Sequence, residues 1–155
     1  MKARGFSLIE LMIVLTILAV LLTIAAPSFS RFIASQRIKT ASFDLQSALM
    51  LARSEAIKRG PAATVTVAAK SSNWANGWTV TSGGATLAES GPFERIAITE
   101  VGGGLTLNYL GNGRVDSANP YAFSLSSDPG VTPSCVRIDT AGVPFSKTYA
   151  EGACN

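Results

Sequence analysis

The first 27 residues, MKARGFSLIELMIVLTILAVLLTIAAP, constrain what this chain can fold into more than any other segment. A basic leader over residues 1–4 ends at Gly5, and a long apolar run follows at once. A secretory signal carries its cleavage site behind the apolar run, after small residues. Here the candidate site lies before the run, between Gly5 and Phe6. Cleavage there would leave the apolar helix on the mature protein, with a free amine at Phe6.

Residues 8–26 have the length of a membrane-spanning helix. At about 1.5 Å per residue they cross a hydrocarbon core of roughly 30 Å. One carboxylate, Glu10, interrupts the run, and an acid costs about 2.5–3.5 kcal/mol at the membrane centre and less near an end. The Phe6 amine lies about one helical turn away and is the natural partner of the Glu10 carboxylate. The two groups would pair either within one chain or between neighbouring chains. A pair between neighbouring chains would set the register of a helical bundle. The alternative is a plain anchor that tolerates one acid near its end.

At these residues the chain resembles the type IV pilin-like superfamily. GFSLIE, at residues 5–10, is similar to that family's prepilin peptidase site. The resemblance implies cleavage after Gly5 by an inner-membrane prepilin peptidase, N-methylation of Phe6, and assembly of the apolar helices into a filament core. It also places Glu10 at the family's acidic register position and Pro27 where members often carry a helix-kinking proline.

Beyond Pro27 the helical pattern continues and becomes amphipathic. Six apolar residues recur at intervals of three and four, which is typical of a helix that packs on a sheet: Ile38, Ala41, Leu45, Leu49, Ala52 and Ala56. Gly60-Pro61 is a helix stop signal. We therefore expect one long helix from about Phe6 to Arg59. Its first half belongs to the membrane or the filament core, and its second half forms the spine of a head.

From residue 62 the apolar residues recur at every second position instead of every third or fourth. Five segments bounded by turn-forming residues are predicted as strands: 62–70, 77–82, 105–110, 121–126 and 135–140. Trp74 and Trp78 flank an Asn-Gly pair, which favours a hairpin with packed indoles over a ligand-stacking platform. The predicted fold is α+β, with the long N-terminal helix packed on an antiparallel β-sheet head, the pilin fold. Its segments are a leader (1–5), a transmembrane or filament-core helix (6–27), an amphipathic helix half (28–60) and a β-rich head (61–155).

The chain has two cysteines, Cys135 and Cys154. A basic leader before an apolar helix is typical of a cytoplasmic N-terminus and a translocated head, and disulfides persist in the compartment that such a head enters. An even pair there predicts one bridge, worth roughly 3 kcal/mol for a loop of about 20 residues. Two free thiols are the alternative. A zinc site is disfavoured, because the spacing is not CxxC and the sequence has no histidine.

Motifs that carry catalysis are missing from the sequence. No histidine is present to act as a base, and no GxSxG, Walker loop or metal-spaced cluster occurs. The glycine run at residues 102–104 lacks the strand–loop–helix context and the lysine of a phosphate-binding loop. We expect no enzymatic activity and no cofactor.

Motifs in the head narrow the resemblance. WANGW, LARSEAIKRG and LGNGRV look like the GspH/FimT/FimU branch, which comprises minor pilins and the minor pseudopilin H of type II secretion. This implies a structural minor pilin that primes or caps a pilus. Before assembly it would be held in the bacterial inner membrane by a single pass, with its N-terminus cytoplasmic and its head periplasmic. The implied partners are the prepilin peptidase and other major and minor pilins or pseudopilins.

Two other functions stay open. Some FimT-type members bind DNA in natural transformation through a basic GRxR motif, and the matching stretch here, AGVPF at residues 141–145, keeps Gly142 but has neither arginine. Arg114, Arg137 and Lys147 are the candidates for a weak DNA patch, but residues 61–155 hold five basic against seven acidic residues. DNA is therefore a disfavoured partner. A pseudopilin of a type II secretion piston shares every N-terminal feature of a pilin.

Overall fold

The computed structural model describes residues 7–117, 121–149 and 154. These residues contain one long helix and eight strands: α1 (Leu8–Arg59), β1 (Thr64–Ala69), β2 (Trp78–Ser82), β3 (Ala85–Ser90), β4 (Ala97–Glu100), β5 (Thr106–Leu110), β6 (Ala122–Ser126), β7 (Ser134–Ile138) and β8 (Pro144–Thr148). Two single-turn 3-10 helices, Lys70–Ser72 and Trp74–Asn76, lie between β1 and β2. The chain divides into two compact units between Ile33 and Ala34.

The long helix confirms the sequence prediction over its described length. It begins at Leu8, ends at Arg59 and includes Pro27. Proline has no N–H, so one bond of the helical ladder is missing there, and the predicted kink at Pro27 stays a prediction. The helix ends at Gly60, whose φ of +88° favours glycine and whose N–H donates to the carbonyl of Ala56 over 3.2 Å.

Both sheets of the head are antiparallel and have four strands. The first has the order β3-β2-β1-β5 and the second the order β4-β6-β7-β8. The predicted α+β fold with an antiparallel head is confirmed, and the structure divides the predicted sheet into two. One core joins both sheets to the helix. It contains all six residues of the predicted helix stripe together with alternating strand residues, among them Val65, Val67, Val80, Leu107, Tyr109, Phe123, Leu125, Val136 and Ile138.

Three strands were missing from the sequence prediction, namely β3, β4 and β8. Each lies at the edge of its sheet. An edge strand buries less of its surface than a central strand and therefore needs no strict alternation of apolar residues. The fourth edge strand, β5, was predicted because Leu107 and Tyr109 are buried at alternate positions. In β8 only Pro144 is buried, and the four residues after it are exposed. Their sequences consequently carry only a weak period of two.

The predicted hairpin around the tryptophans is present, but its connection is longer than an Asn-Gly turn. Strands β1 and β2 pair with Ala69 opposite Trp78, and the 3-10 helices fill the segment between them. Both indoles are buried. Trp74 meets the ring of Phe123 edge-on at 4.9 Å, and Trp78 stacks on Phe93 at 4.9 Å. The indoles therefore belong to the core.

Candidate functional site

Glu10 lies in the first turn of α1, at one end of the apolar segment. The N–H groups of Glu10 and Leu11 donate to the carbonyl of Ser7 over 3.1 and 3.2 Å, which starts the helix. A carboxylate in the first turn is stabilised by the helix dipole. Ser7 and Glu10 also have the S-x-x-E spacing of a capping box, which is a helix-start signal in the sequence. This position lowers the cost of Glu10 in hydrocarbon relative to a mid-helix acid.

The predicted processing site, Gly5 and Phe6, lies outside the described residues. The pairing of the Phe6 amine with Glu10 therefore stays a prediction. Within the described residues, α1 is the one helix whose length and apolar composition suit a membrane span. Its large apolar side chains from Leu8 to Leu22 are about half exposed or more.

The two cysteines form the predicted disulfide. Cys135 and Cys154 are bonded, and their Cα atoms are 5.7 Å apart. With Ala122 they form a small second core, against which Tyr149 packs. The sulfur of Cys154 lies 3.4 Å from the carbonyl oxygen of Phe123. The bridge thus fastens Cys154 to the outer face of the second sheet.

The structure brings together two of the three candidate DNA-binding residues. In the β7–β8 pair, Arg137 lies opposite Phe145, and Lys147 lies opposite Cys135. Val136 points into the core, so its neighbour Arg137 points to the outer face, which Lys147 and Phe145 share. Arg114 is exposed but follows β5, a strand of the first sheet. The patch therefore contains Arg137 and Lys147 on one face and leaves Arg114 on a separate turn.

A third arginine, Arg53, which lies off the apolar stripe of α1, connects the turn after β5 with the turn between β7 and β8. Arg53 of α1 donates from Nε to the carbonyl oxygen of Gly113 over 3.1 Å and from Nη2 to that of Ala141 over 3.4 Å. Gly113 belongs to the turn after β5, and Ala141 belongs to the turn between β7 and β8. One helical side chain thereby contacts a turn from each sheet.

Gly142 has a structural role in the same place. Its φ is +82°, and a Cβ at this position would lie 3.0 Å from the Cα of Arg114. The same Cβ would overlap the carbonyl oxygen of Gly113. The Asp139 carboxylate orders the turn by accepting the N–H groups of Ala141 and Val143 over 2.9 and 2.7 Å. Turn packing therefore accounts for this glycine without any nucleic acid.

The glycine run at residues 102–104 does not form an anion site. The N–H of Gly104 donates to the carboxylate of Glu100 over 2.7 Å, and its carbonyl accepts the indole N–H of Trp74 over 2.8 Å. A backbone N–H already bound to a carboxylate is not available to a phosphate. Among the residues that the structure describes, no group of three or more His, Cys, Asp or Glu side chains is placed to hold a metal ion.

Two family models match this chain. One, described as type II transport protein GspH, matches residues 41–142, and the other, described as the prokaryotic N-terminal methylation motif, matches residues 1–26. No curated protein sequence matches significantly.

The chain is also similar to a solved structure, the type IV minor pilin FimU of Pseudomonas aeruginosa strain PAO1, in two crystal forms. In space group P21 the identity is 22%, with 77% of this chain and 92% of that chain covered and a TM-score of 0.61. In P65 the identity is 22%, the shares are 76% and 99%, and the TM-score is 0.59. Identity at this level shows a shared fold.

Proposed function

This chain belongs to the GspH family of pilin-like proteins, and we propose that within it the chain is a minor type IV pilin that primes or caps pilus assembly after prepilin processing. The family and fold are those of structural pilins and pseudopilins, not of enzymes. Association with other pilins or pseudopilins and a membrane-anchored stage before assembly fit this family. The specific role at the start or tip of a filament is the proposal.

One observation carries the proposal. Within the described part of α1, the first buried side chain is that of Ala34, whereas the large apolar side chains of Leu8 to Leu22 are exposed. Exposed apolar surface of this extent needs cover from lipid or from other helices. A membrane covers it before assembly, and a bundle of neighbouring apolar helices covers it in a filament.

The first experiment concerns processing and assembly in the chain's own host. Replacing Gly5 with leucine should leave unprocessed precursor, seen as a slower band on a gel. Replacing Glu10 with alanine should spare cleavage but impair incorporation into filaments, and Glu10→Asp is the matched control that keeps the charge. Normal incorporation of Glu10→Ala would contradict the register role of Glu10, and a mature-sized product from Gly5→Leu would contradict cleavage at that site.

The second experiment concerns the priming role. Deletion of the gene should lower the number of filaments per cell, and the processed chain should restore it. The chain should also be present in sheared filaments at far lower amounts than the major pilin. An unchanged filament number would contradict priming or capping. Co-purification with a type II secretion machine, together with secretion genes beside this one, would favour the alternative role of a minor pseudopilin.

DNA binding in natural transformation is the second candidate function. The observation that favours it is the shared outward face of Arg137, Lys147 and the exposed ring of Phe145. A head fragment, residues 28–155, is titrated with DNA across a salt series, because phosphate contacts weaken steeply with salt. Binding that is lost in the double variant Arg137→Ala, Lys147→Ala would support a DNA receptor. Absence of binding at low salt would leave the structural pilin.

A further inference from the structure

Strand β8 is an edge strand of the second sheet, and hydrogen bonds at its two ends show which of its backbone groups face β7. The Asp139 N–H donates to the carbonyl of Val143 over 3.1 Å, and the Tyr149 N–H donates to the carbonyl of Pro133 over 3.3 Å. Hydrogen-bonded and non-hydrogen-bonded pairs alternate along an antiparallel ladder. The odd-numbered residues of β8 therefore bond to β7.

The even-numbered residues Ser146 and Thr148 consequently direct their backbone N–H and C=O groups away from β7. The carbonyl of Pro144, the other even-numbered residue, accepts a hydrogen bond from Nε2 of Gln46 over 3.4 Å. Among the residues that the structure describes, no backbone group pairs with those of Ser146 and Thr148 on this side. Both residues are exposed, although Ser146 lies opposite the buried residue Val136. We call the backbone N–H and C=O groups of Ser146 and Thr148 the open edge.

Two of the other three sheet edges are protected against an added strand. At β5, Tyr109 forms a bridge with Val115, and the Asp116 N–H donates to the carbonyl of Asn108 over 2.8 Å. At β3, the pairing with β2 shifts its register within the strand, and such a bulge twists an edge away from further partners. The pairing of β8 with β7 runs over five residues without a shift. A regular edge of this kind is a template for an extended peptide.

A second copy of β8 is a poor partner for the open edge. In two antiparallel β8 strands, the register that joins all the groups of the open edge pairs Ser146 of one copy with Thr148 of the other. This register places the two Lys147 side chains directly opposite each other, and like charges in that position destabilise the pair. A suitable partner instead carries a carboxylate opposite Lys147. The exposed ring of Phe145 lies on the same face and is best covered by an apolar side chain of the partner.

We propose that the open edge binds an extended acidic segment of another polypeptide by antiparallel strand addition. Ser146 and Thr148 exchange backbone hydrogen bonds with the segment, which provide affinity, and Lys147 and Phe145 select its side chains. The segment has the order acid, any residue, apolar residue, because an antiparallel partner meets position 147 before position 145. The inference goes beyond the proposed function, since it requires neither filament assembly nor DNA.

Peptide titration tests the strand addition by NMR, with the full-length chain isotope-labelled and held in detergent micelles. The probe is the end-blocked hexapeptide Ser-Thr-Glu-Thr-Val-Ser, and the matched control peptide has Lys in place of Glu. We expect the amide signals of Ser146 and Thr148 to shift at millimolar peptide, and the lysine peptide to bind about fivefold more weakly. Equal binding of the two peptides, or a titration that leaves both amide signals unchanged, would overturn the inference.

Two substitutions at one position separate backbone pairing from side-chain contact. Ser146→Pro removes an outward N–H, and proline is tolerated on an edge strand where that group would face solvent. This variant should bind the glutamate peptide about tenfold more weakly, because one carbonyl of the peptide loses its donor. Ser146→Ala keeps the N–H and should bind the peptide as the wild type does. Equal peptide binding by the two variants would show that side chains alone make the contact, and the strand addition would be wrong.

A charge reversal tests the selection of the acid without altering the backbone, so it does not depend on the folding of the proline variant. Lys147→Glu should reverse the preference, so that the lysine peptide binds more tightly than the glutamate peptide. An unchanged preference would overturn the inference. The pilin function would stand in either case, because processing and incorporation into filaments are measured separately.

Discussion

The Nε of Arg53 donates a hydrogen bond of 3.1 Å to the carbonyl oxygen of Gly113, across the junction of the helix and the first sheet. From the same guanidinium, Nη2 reaches the carbonyl of Ala141 in the turn between β7 and β8. The two sheets have no strand in common. Arg53 is thus a polar link between two turns that come from different sheets, in addition to their shared apolar core.

Replacing Arg53 with alanine should lower the free energy of unfolding of the head by about 1.5–3 kcal/mol, the usual range for hydrogen bonds from a charged group. Urea unfolding of the fragment 28–155 measures this. Lys39→Ala, which removes an exposed cation from the same helix, is the control and should stay within about 0.5 kcal/mol of wild type. Equal stability of the Arg53 and Lys39 variants would show that the link contributes nothing.

Gly142→Ala should lower the free energy of unfolding of the head by more than the cost of the left-handed backbone conformation alone. The left-handed φ is expected to cost about 1 kcal/mol, and the clash of the new Cβ with the Gly113 turn adds to it. Gly103→Ala is the matched control, because its φ is +77° and a Cβ added there would have no other atom within 4 Å. Differential scanning calorimetry should show a larger fall in Tm for Gly142→Ala. A similar fall in both variants would contradict the close packing of the two turns.

Tyr109→Phe should be neutral or stabilising at pH 7. The Tyr109 hydroxyl is buried and has no hydrogen-bond partner among the described residues, so removing it abolishes a desolvated polar group. Urea unfolding of wild type and variant at pH 7 measures the difference. A loss of more than about 1 kcal/mol would indicate a hydrogen bond to that hydroxyl.

The same tyrosine predicts a loss of stability in alkali. Burial raises the pKa of the Tyr109 phenol above its ordinary value; Arg53 opposes this shift and Asp139 adds to it. Above about pH 10 the unfolded chain therefore releases the proton while the folded chain retains it, so stability falls with pH by about 1.4 kcal/mol per unit. Tyr109→Phe should flatten this slope between pH 10 and the onset of base hydrolysis. An unchanged slope would place the phenol in contact with water.

Reduction of the Cys135–Cys154 bridge should lower the stability of the head by roughly 3 kcal/mol, since the bridge closes a loop of about 20 residues. The double variant Cys135→Ser, Cys154→Ser, unfolded in urea beside the oxidised and reduced wild type, separates the loss of the bond from the effect of the reductant. The β7–β8 strands should persist, because the apolar side chains of β7 belong to the main core. Complete unfolding of the variant would show that the bridge is needed for the fold.

Periodicity made the helix predictable. The stripe from Ile38 to Ala56 is buried in full, because a helix that packs on a sheet must repeat its apolar residues every three or four positions. The same argument identified the four central strands and the edge strand β5, whose Leu107 and Tyr109 are buried at alternate positions. It failed at β3, β4 and β8, since each of these edge strands has at most one buried residue. Periodicity could not identify the contacts of Arg53, because its two acceptors are backbone carbonyls 60 and 88 residues away.

The sequence by itself determined the apolar helix with an acid near its start, the amphipathic continuation, the α+β class and the cysteine pair. Each of these depends on local order along the chain. Only the tertiary structure decided that the strands divide into two sheets, that Arg137 and Lys147 share a face without Arg114, and that Phe43 and Met50 remain uncovered by the head. These features depend on which distant segments meet, and the free energy that selects those contacts comes from burying side chains that lie far apart in sequence.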